Sequence, residues 1–416
     1  MEIQGLNVEE IAKEFGTPLY LYDAGVIERQ VKAFRSAFPN IDLDVKYACK
    51  SNTNLSILKK MLELGTGLDT VSINEIKMGL MVGFKPDQIV FTPNCVDFSE
   101  IVEAVELGVR INIENLPNLE KFAEKYGNSV PCFVRLNPQV HIQANSDKVD
   151  WWHKQSKFGI SLDQLPEVHR LIAEKGLKVN GIHIHSSSVI MTPEVFLEGA
   201  KTVFDIAKQF KDLEFLDFGG GIKVEVGDGS PVIDPQELGA QFEPAFQSFC
   251  KEIGKPIQLW FEPGRFLIAE AGMLLVTANV VKRNGNTTFV GTDSGFNQLI
   301  RPMLYDAHHE ILNLSRGLTD GIGKGLMHQT PTQKYTVVGN ICEIDNFAVD
   351  RLIPEVKEGD VLALMTAGAY GFSMASTYNS RVRPLEVMVE NGEARIIRYR
   401  DSFEDLIRSQ EGLWSS

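Results

Sequence analysis

The sequence predicts an α/β protein: a parallel (β/α)8 TIM-type barrel followed by a mostly antiparallel β domain. Three observations carry this. Short apolar, β-rich segments recur eight times through the first two-thirds of the chain. Most are separated by stretches whose apolar residues return every three or four positions, and several of these end in Gly. After about residue 275 the helical patterns stop and one strand-like segment follows another.

The eight barrel segments are LDVKYACK (43–50), TGLDTVS (66–72), QIVFTPN (88–94), VRINIEN (109–115), PCFVRLN (131–137), VNGIHIHS (179–186), LEFLDFGG (213–220) and PIQLWFEP (256–263). Strand and helix alternating in this way is the sequence pattern of a closed parallel barrel. The one long gap, 138–157, is polar, holds Trp151 and Trp152, and is expected to be a loop over the barrel mouth. In the second part, MLLVTANVVK, TTFVGTD, KYTVVGNICE, DVLALMTAG and LEVMVENGEARIIRYR read as strands, with a turn at Glu390-Asn391-Gly392. PLYLYD (18–23) precedes the first barrel strand and is expected to join this second sheet. The expected domains are 25–272 for the barrel, and 1–24 with 273–416 for the β domain.

The chain has 416 residues, 44% hydrophobic and 23% charged, which is an ordinary globular balance. Its formal charge of −14 disfavours nucleic acid and anionic membrane as partners. The N-terminal stretch lacks the basic-then-apolar order of a signal peptide, and no apolar run is long enough to span a bilayer. Five scattered cysteines without a CxxC pair suit reduced thiols. A cytoplasmic protein acting on a small molecule is expected.

Barrel sites form where strands run into their following helices. That rule gathers Lys50, Arg135, His183, His185, the run Gly219-Gly220-Gly221, and Glu262-Pro263-Gly264-Arg265 at one mouth. Each has a plain structural reading: a solvated lysine, a tight turn, a corner between strand and loop. Together they suit a phosphorylated aldehyde cofactor. Lysine forms a Schiff base, the bare glycine backbone and Arg265 bind phosphate, and Glu262 keeps a pyridine nitrogen protonated. His183 and His185 share one side of a strand, but no third ligand stands at a recognisable metal spacing, so no metal is expected. Cys49 is expected to face away from Lys50, as strand neighbours alternate.

The motifs YACKSN (47–52), GLDTVSINEI (67–76), SKFGI (156–160), LDFGGG (216–221) and FEPGRF (261–266), with His185 and Ser188, resemble the fold-type III pyridoxal-phosphate decarboxylases. RPMLYDAHHE (301–310), GNICEIDNFAVDR (339–351) and GAYGFSMASTYNSRVRP (368–384) are similar to the diaminopimelate decarboxylase branch. The resemblance runs in consistent order from about residue 15 to the C-terminus. It implies pyridoxal 5′-phosphate on Lys50, His185 against the ring face, and Glu262 at the pyridine nitrogen. Ser188, Gly220, Gly221, Pro263, Gly264, Arg265 and Tyr370 are implied around the cofactor. Arg265, Arg301, Tyr305, Glu343 and Tyr370 fall at substrate-contacting positions, and Cys342 at that of the proton donor. The resemblance further implies a homodimer in which Cys342, Glu343 and Tyr370 serve the active site of the other subunit.

The implied reaction is decarboxylation of meso-2,6-diaminopimelate to L-lysine and CO2, the last step of lysine biosynthesis. The chain departs from the family pattern at His185-Ser186-Ser187-Ser188, where a Gly usually precedes the last serine, and in SDKVDWWHKQ before SKFGI. Three alternatives stay open: a decarboxylase of a related diamino or carrier-linked amino acid, a racemase of the same architecture, and a noncatalytic cofactor-holding homologue.

Overall fold

The computed structural model describes residues 1–137, 156–185, 192–227, 229, 232–316 and 333–413. The expected site residue Ser188, its neighbours Ser186 and Ser187, and the Trp151–Trp152 loop lie outside the described residues. The chain divides into two compact units. One comprises Arg29–Val224 and Pro231–Leu267, and the other Met1–Glu28, Glu225–Ser230 and Ile268–Ser416.

The first long strand, β1 (Leu19–Asp23), belongs to the second unit. Eight strands then form the barrel: β2 (Leu43–Ala48), β3 (Gly67–Thr70), β4 (Ile89–Phe91), β5 (Arg110–Ile113), β6 (Cys132–Asn137), β7 (Val179–His183), β8 (Phe215–Asp217) and β9 (Gln258–Phe261). Each pairs in parallel with the next, and β9 pairs with β2, so the ring closes. The intervening helices carry the start and stop signals of the sequence. Asn54, Ser72, Asp97 and Asn115 cap helix N-termini through their side chains, and Gly83 ends one helix in the left-handed conformation.

The barrel interior is filled at one level by aromatic rings. Phe215 stacks on Trp260 with centroids 3.6 Å apart, and Phe133 meets both edge-on. The Lys46 ammonium lies 4.6 Å from the Trp260 ring centroid and 2.6 Å from Asp44, which lets a lysine be almost wholly buried. Gly181 faces this layer because a Cβ there would stand 2.3 Å from the Phe215 ring. One or two residues further along each strand the interior turns polar, with Asp69, Asn112, His183, Asp217 and Glu262 all buried. Buried acids at consecutive strand ends are the opposite of what a core needs, and they locate the chemistry.

The second unit is a mostly antiparallel sheet of β1 with β10 (Gly272–Asn284), β11 (Thr287–Thr292), β12 (Ile311–Asn313), β13 (Gln333–Val338), β14 (Asn346–Ile353), β15 (Val361–Leu364), β16 (Leu385–Glu390) and β17 (Glu393–Arg398). Two of its pairings, β1 with β16 and β11 with β13, are parallel. The expected joining of residues 18–23 to this sheet is observed, with β1 lying between β10 and β16. The expected turn links β16 to β17, with Asn391 and Gly392 at φ 54° and 78°. KYTVVGNICE is not one strand. β13 stops at Val338, and Gly339–Asp345 forms a compact loop in which a Cβ on Gly339 would stand 1.9 Å from Asp345 Oδ2.

No helix among the described residues is long and apolar enough to cross a membrane. All five cysteines are free thiols.

Candidate active site

Lys50 sits not on β2 itself but in the single 3-10 turn Cys49–Ser51 that follows it. The turn lifts the ammonium out of the buried strand, leaving it 37% exposed, while Asp69 at 1% exposure receives it at 2.9 Å. The alternation argument for Cys49 therefore does not apply: Cys49 lies in the turn, fully buried, and burial pushes its thiol far up. Gly264 packs over this turn, with an added Cβ only 3.0 Å from Ala48 Cβ and from Ser51 Oγ.

Glu262 follows β9 and is 3% exposed. His183, at the end of β7, places Nε2 3.3 Å from Glu262 Oε2. Burial alone would raise this carboxyl, but His183 and then Lys50 outweigh it and hold Glu262 below the ordinary carboxylate range. Its two acidic neighbours go the other way. Asp217 is driven well up by burial and the Glu262 charge, and Asp69 is raised by the same two causes against the pull of Lys50. The site thus concentrates its negative charge on Glu262, whose Oε1 is buried without a hydrogen-bond partner.

The glycine run supplies a backbone surface. Gly219 and Gly221 have φ of 64° and 105°, which L side chains rarely adopt. At Gly220 a Cβ would stand 2.6 Å from the Glu262 carbonyl oxygen. The Gly220 amide donates to His185 Nδ1 at 3.2 Å, which makes Nδ1 the acceptor and puts the ring proton on Nε2. Burial, Arg135 and Lys50 push His185 well below its usual range, so it is neutral. His183, His185 and Glu262 bring ligand-type atoms within 4.8 Å of one another. The third group that sequence spacing failed to supply for a metal is Glu262, from a strand end almost eighty residues downstream.

In the second unit the expected residues form two groups. Arg301 and Tyr305 begin and end the helix Arg301–Tyr305, one turn apart on the same side. Arg301 lies 5.9 Å from the Tyr370 ring, and Tyr370 is held at φ 58° between Ala369 and Gly371. Cys342 and Glu343 occupy the Gly339–Asp345 loop, both exposed. The Tyr378 hydroxyl donates to Glu343 Oε1 at 2.8 Å and lies 3.6 Å from Cys342 Sγ.

Sequence reasoning missed Asp69, Asn112, Asp217, Tyr378 and Asn379. Two were detectable. GLDT and FLD each put a carboxylate inside an otherwise apolar buried strand, which a core does not tolerate without a purpose.

The model of the pyridoxal-dependent decarboxylase family, pyridoxal-binding domain, matches residues 24–269. A diaminopimelate decarboxylase of Methanothermobacter thermautotrophicus is 38% identical, over 98% of this chain and 95% of its own length. That of Escherichia coli K12 is 33% identical, over 96% and 95%. The chain belongs to the diaminopimelate decarboxylase family. The crystal structure of the Helicobacter pylori diaminopimelate decarboxylase complexed with L-lysine superposes with a TM-score of 0.86, at 33% identity, covering 97% of this chain and 99% of that one.

This is a family of pyridoxal-phosphate enzymes, and the barrel residues fit that cofactor. A reactive amine stands at the mouth, a glycine backbone leaves no room for side chains, and an anionic oxygen is buried without a hydrogen-bond partner. These are the needs of an aldehyde, a phosphate and a pyridinium.

Proposed function

We propose that this chain removes one carboxylate of meso-2,6-diaminopimelate, releasing CO2 and L-lysine as the last step of lysine biosynthesis. The observation that carries the reading is Glu262, a fully buried carboxylate kept anionic by His183 and Lys50 in the barrel that also presents Lys50. A buried anion at the barrel mouth is what a cationic ring nitrogen needs opposite it.

When bound, pyridoxal phosphate supplies an aldehyde for Lys50 and a ring that takes up the electron pair left at Cα as CO2 departs. The residues of this chain do the rest. Lys50 holds the cofactor covalently and releases the product amine. Glu262 retains the proton on the ring nitrogen, and His185, being neutral, covers a ring face without opposing that charge. Ser188, Gly220, Gly221, Gly264, Arg265 and Tyr370 bind the phosphate region, with Pro263 fixing the corner between Glu262 and Arg265.

Arg301, with Tyr305, binds the distal carboxylate in a charge-assisted contact of about 1.5–3 kcal/mol. Glu343 binds the distal ammonium, Arg265 and Tyr370 complete the substrate site, and Cys342 returns a proton to Cα. Cys342 and Glu343 are exposed beside Ile344, which is 77% exposed. This supports a homodimer in which Cys342, Glu343 and Tyr370 serve the active site of the second copy. Five free cysteines accord with a cytoplasmic setting.

The test is CO2 and L-lysine release from meso-diaminopimelate with added pyridoxal phosphate, beside a Lys50→Ala control. Release by the wild type alone is expected. A bound-cofactor spectrum without release would overturn the substrate and turn attention to related diamino or carrier-linked amino acids.

A further inference from the structure

The loop that carries Cys342 and Glu343 is built as a fixed frame. Asp345 is buried, and its backbone carbonyl accepts the Gly339 N–H at 3.1 Å, which closes the loop on itself. The Asn340 amide donates to the Ser294 carbonyl at 2.9 Å, and Arg381 Nη2 donates to the Asn340 carbonyl at 2.9 Å. The Tyr378 ring stacks on Phe296 with centroids 5.7 Å apart and planes 15° from parallel. Asn379 is held left-handed at φ 57° and ψ 24°, a conformation Asn tolerates better than most residues.

From this frame two side chains reach the thiol. Asn379 Oδ1 accepts the Cys342 backbone N–H at 2.9 Å, while its Nδ2 donates to Cys342 Sγ at 3.2 Å. The Tyr378 hydroxyl gives its one proton to Glu343 Oε1, because a carboxylate only accepts. Toward Cys342, 3.6 Å away, the hydroxyl oxygen is then an acceptor, and the S–H proton points at it. The bonds run in one direction, from the Asn379 amide through the thiol and the Tyr378 hydroxyl to Glu343.

We propose that Tyr378 and Asn379 are positioning residues for the proton donor: Asn379 fixes the Cys342 side chain and holds its sulfur, and Tyr378 locks Cys342 and Glu343 into one unit. This rests on the reading of Cys342 as donor and Glu343 as substrate anchor. In the step they serve, a C–H bond forms at the substrate carbon and the S–H bond breaks. The electron pair stays on sulfur, and water afterwards returns a proton to the thiolate. Asn379 Nδ2 already faces the atom on which that negative charge appears.

The test uses the full-length holoenzyme and its Tyr378→Phe and Asn379→Asp variants. Alkylation of Cys342 by iodoacetamide is read by peptide-resolved mass spectrometry, with exposed Cys95 as the internal reference. Asn379→Asp keeps the acceptor for the Cys342 amide but sets an anionic oxygen against sulfur. It is expected to slow Cys342 alkylation about tenfold relative to Cys95 and to lower kcat about tenfold with KM within about threefold. Tyr378→Phe frees both partners, so the alkylation ratio should shift about fivefold and KM should rise as kcat falls. A ratio within about twofold of wild type in both variants overturns the proposal. Cys342→Ala separates the two readings. Full turnover in that variant removes Cys342 as donor, while the alkylation ratios still report whether Tyr378 and Asn379 hold the thiol.

Discussion

Lys50 Nζ stands 2.9 Å from Asp69 Oδ2, joining the turn after β2 to the adjacent strand β3, where Ala48 and Asp69 are register partners. The acid is the buried member and the amine the accessible one. Among the described residues Lys50 is the one ion-pair partner of Asp69, while burial and Glu262 push the acid's proton affinity up.

Lys50→Ala should abolish the absorbance of a covalently held cofactor, and it should also change stability in a pH-dependent way. Without the ammonium, charged Asp69 is costly, whereas protonated Asp69 needs no cation. The folded variant binds that proton more tightly than the unfolded chain, so its penalty grows as pH rises. Breaking a fully buried pair costs about 3–5 kcal/mol, and discounting for the exposure of Lys50 leaves about 1–2 kcal/mol at pH 8 and less at pH 5. Urea midpoints of both proteins at the two pH values check this. An equal gap at both would contradict the pairing.

Glu262→Gln should leave the cofactor bound and slow turnover about 10²–10³-fold. An amide of the same shape cannot carry the charge that keeps the ring nitrogen protonated. The amide would also leave the ring nitrogen without an anion opposite it, so the visible spectrum of the bound cofactor should shift with pH where the wild type does not. A kcat within about threefold of wild type would remove Glu262 from this role.

Lys50, Glu262 and the acid of GLDT are each legible in the sequence, but which of them meet is a matter of register. Alternation tells which side of a strand a residue faces. It does not tell which side chains meet at the barrel mouth: Lys50 meets Asp69 from the adjacent strand β3, while His183 meets Glu262 across β8, which lies between their strands. The barrel itself needed only the repeated alternation, and the β domain only the loss of helical period. Tyr378 and Asn379 were illegible for a different reason. They act through a left-handed turn and a loop 36 and 37 residues away, and no periodicity marks such a meeting. The need for a glycine at 339 is likewise set in space, by Asp345 Oδ2 standing 1.9 Å from where a Cβ would lie.

Gly220→Ala should weaken the site from the backbone side. The added Cβ would stand 2.6 Å from the Glu262 carbonyl oxygen, so either the glycine turn or the Glu262 corner must shift. Overpacking of this kind costs about 1–3 kcal/mol. Because the same turn presents backbone to the phosphate, the cofactor dissociation constant should rise about tenfold or more. Thermal midpoints with and without cofactor, and a cofactor titration, separate the two effects. Wild-type affinity would show that the turn does not form the phosphate site.

His309 should make the enzyme less stable in mild acid. Its Nδ1 donates to the Met365 carbonyl at 2.8 Å, and its buried Nε2 has no hydrogen-bond partner, so the ring is neutral. Burial, then the Arg301 charge, hold its pKa down at about 4. The unfolded chain takes up a proton near pH 6.5, and the folded protein does not until about pH 4. Stability is therefore intact above pH 6.5 and lost as pH falls between these values, by about 3 kcal/mol at most from this one group. His309→Asn keeps a donor for Met365 and removes the titration. The variant should be weaker than wild type at pH 7 by about 1–2 kcal/mol from lost packing, yet its urea midpoint should fall less between pH 7 and 4.5. Parallel midpoint curves for the two proteins would show that the protons taken up on unfolding in that range bind elsewhere.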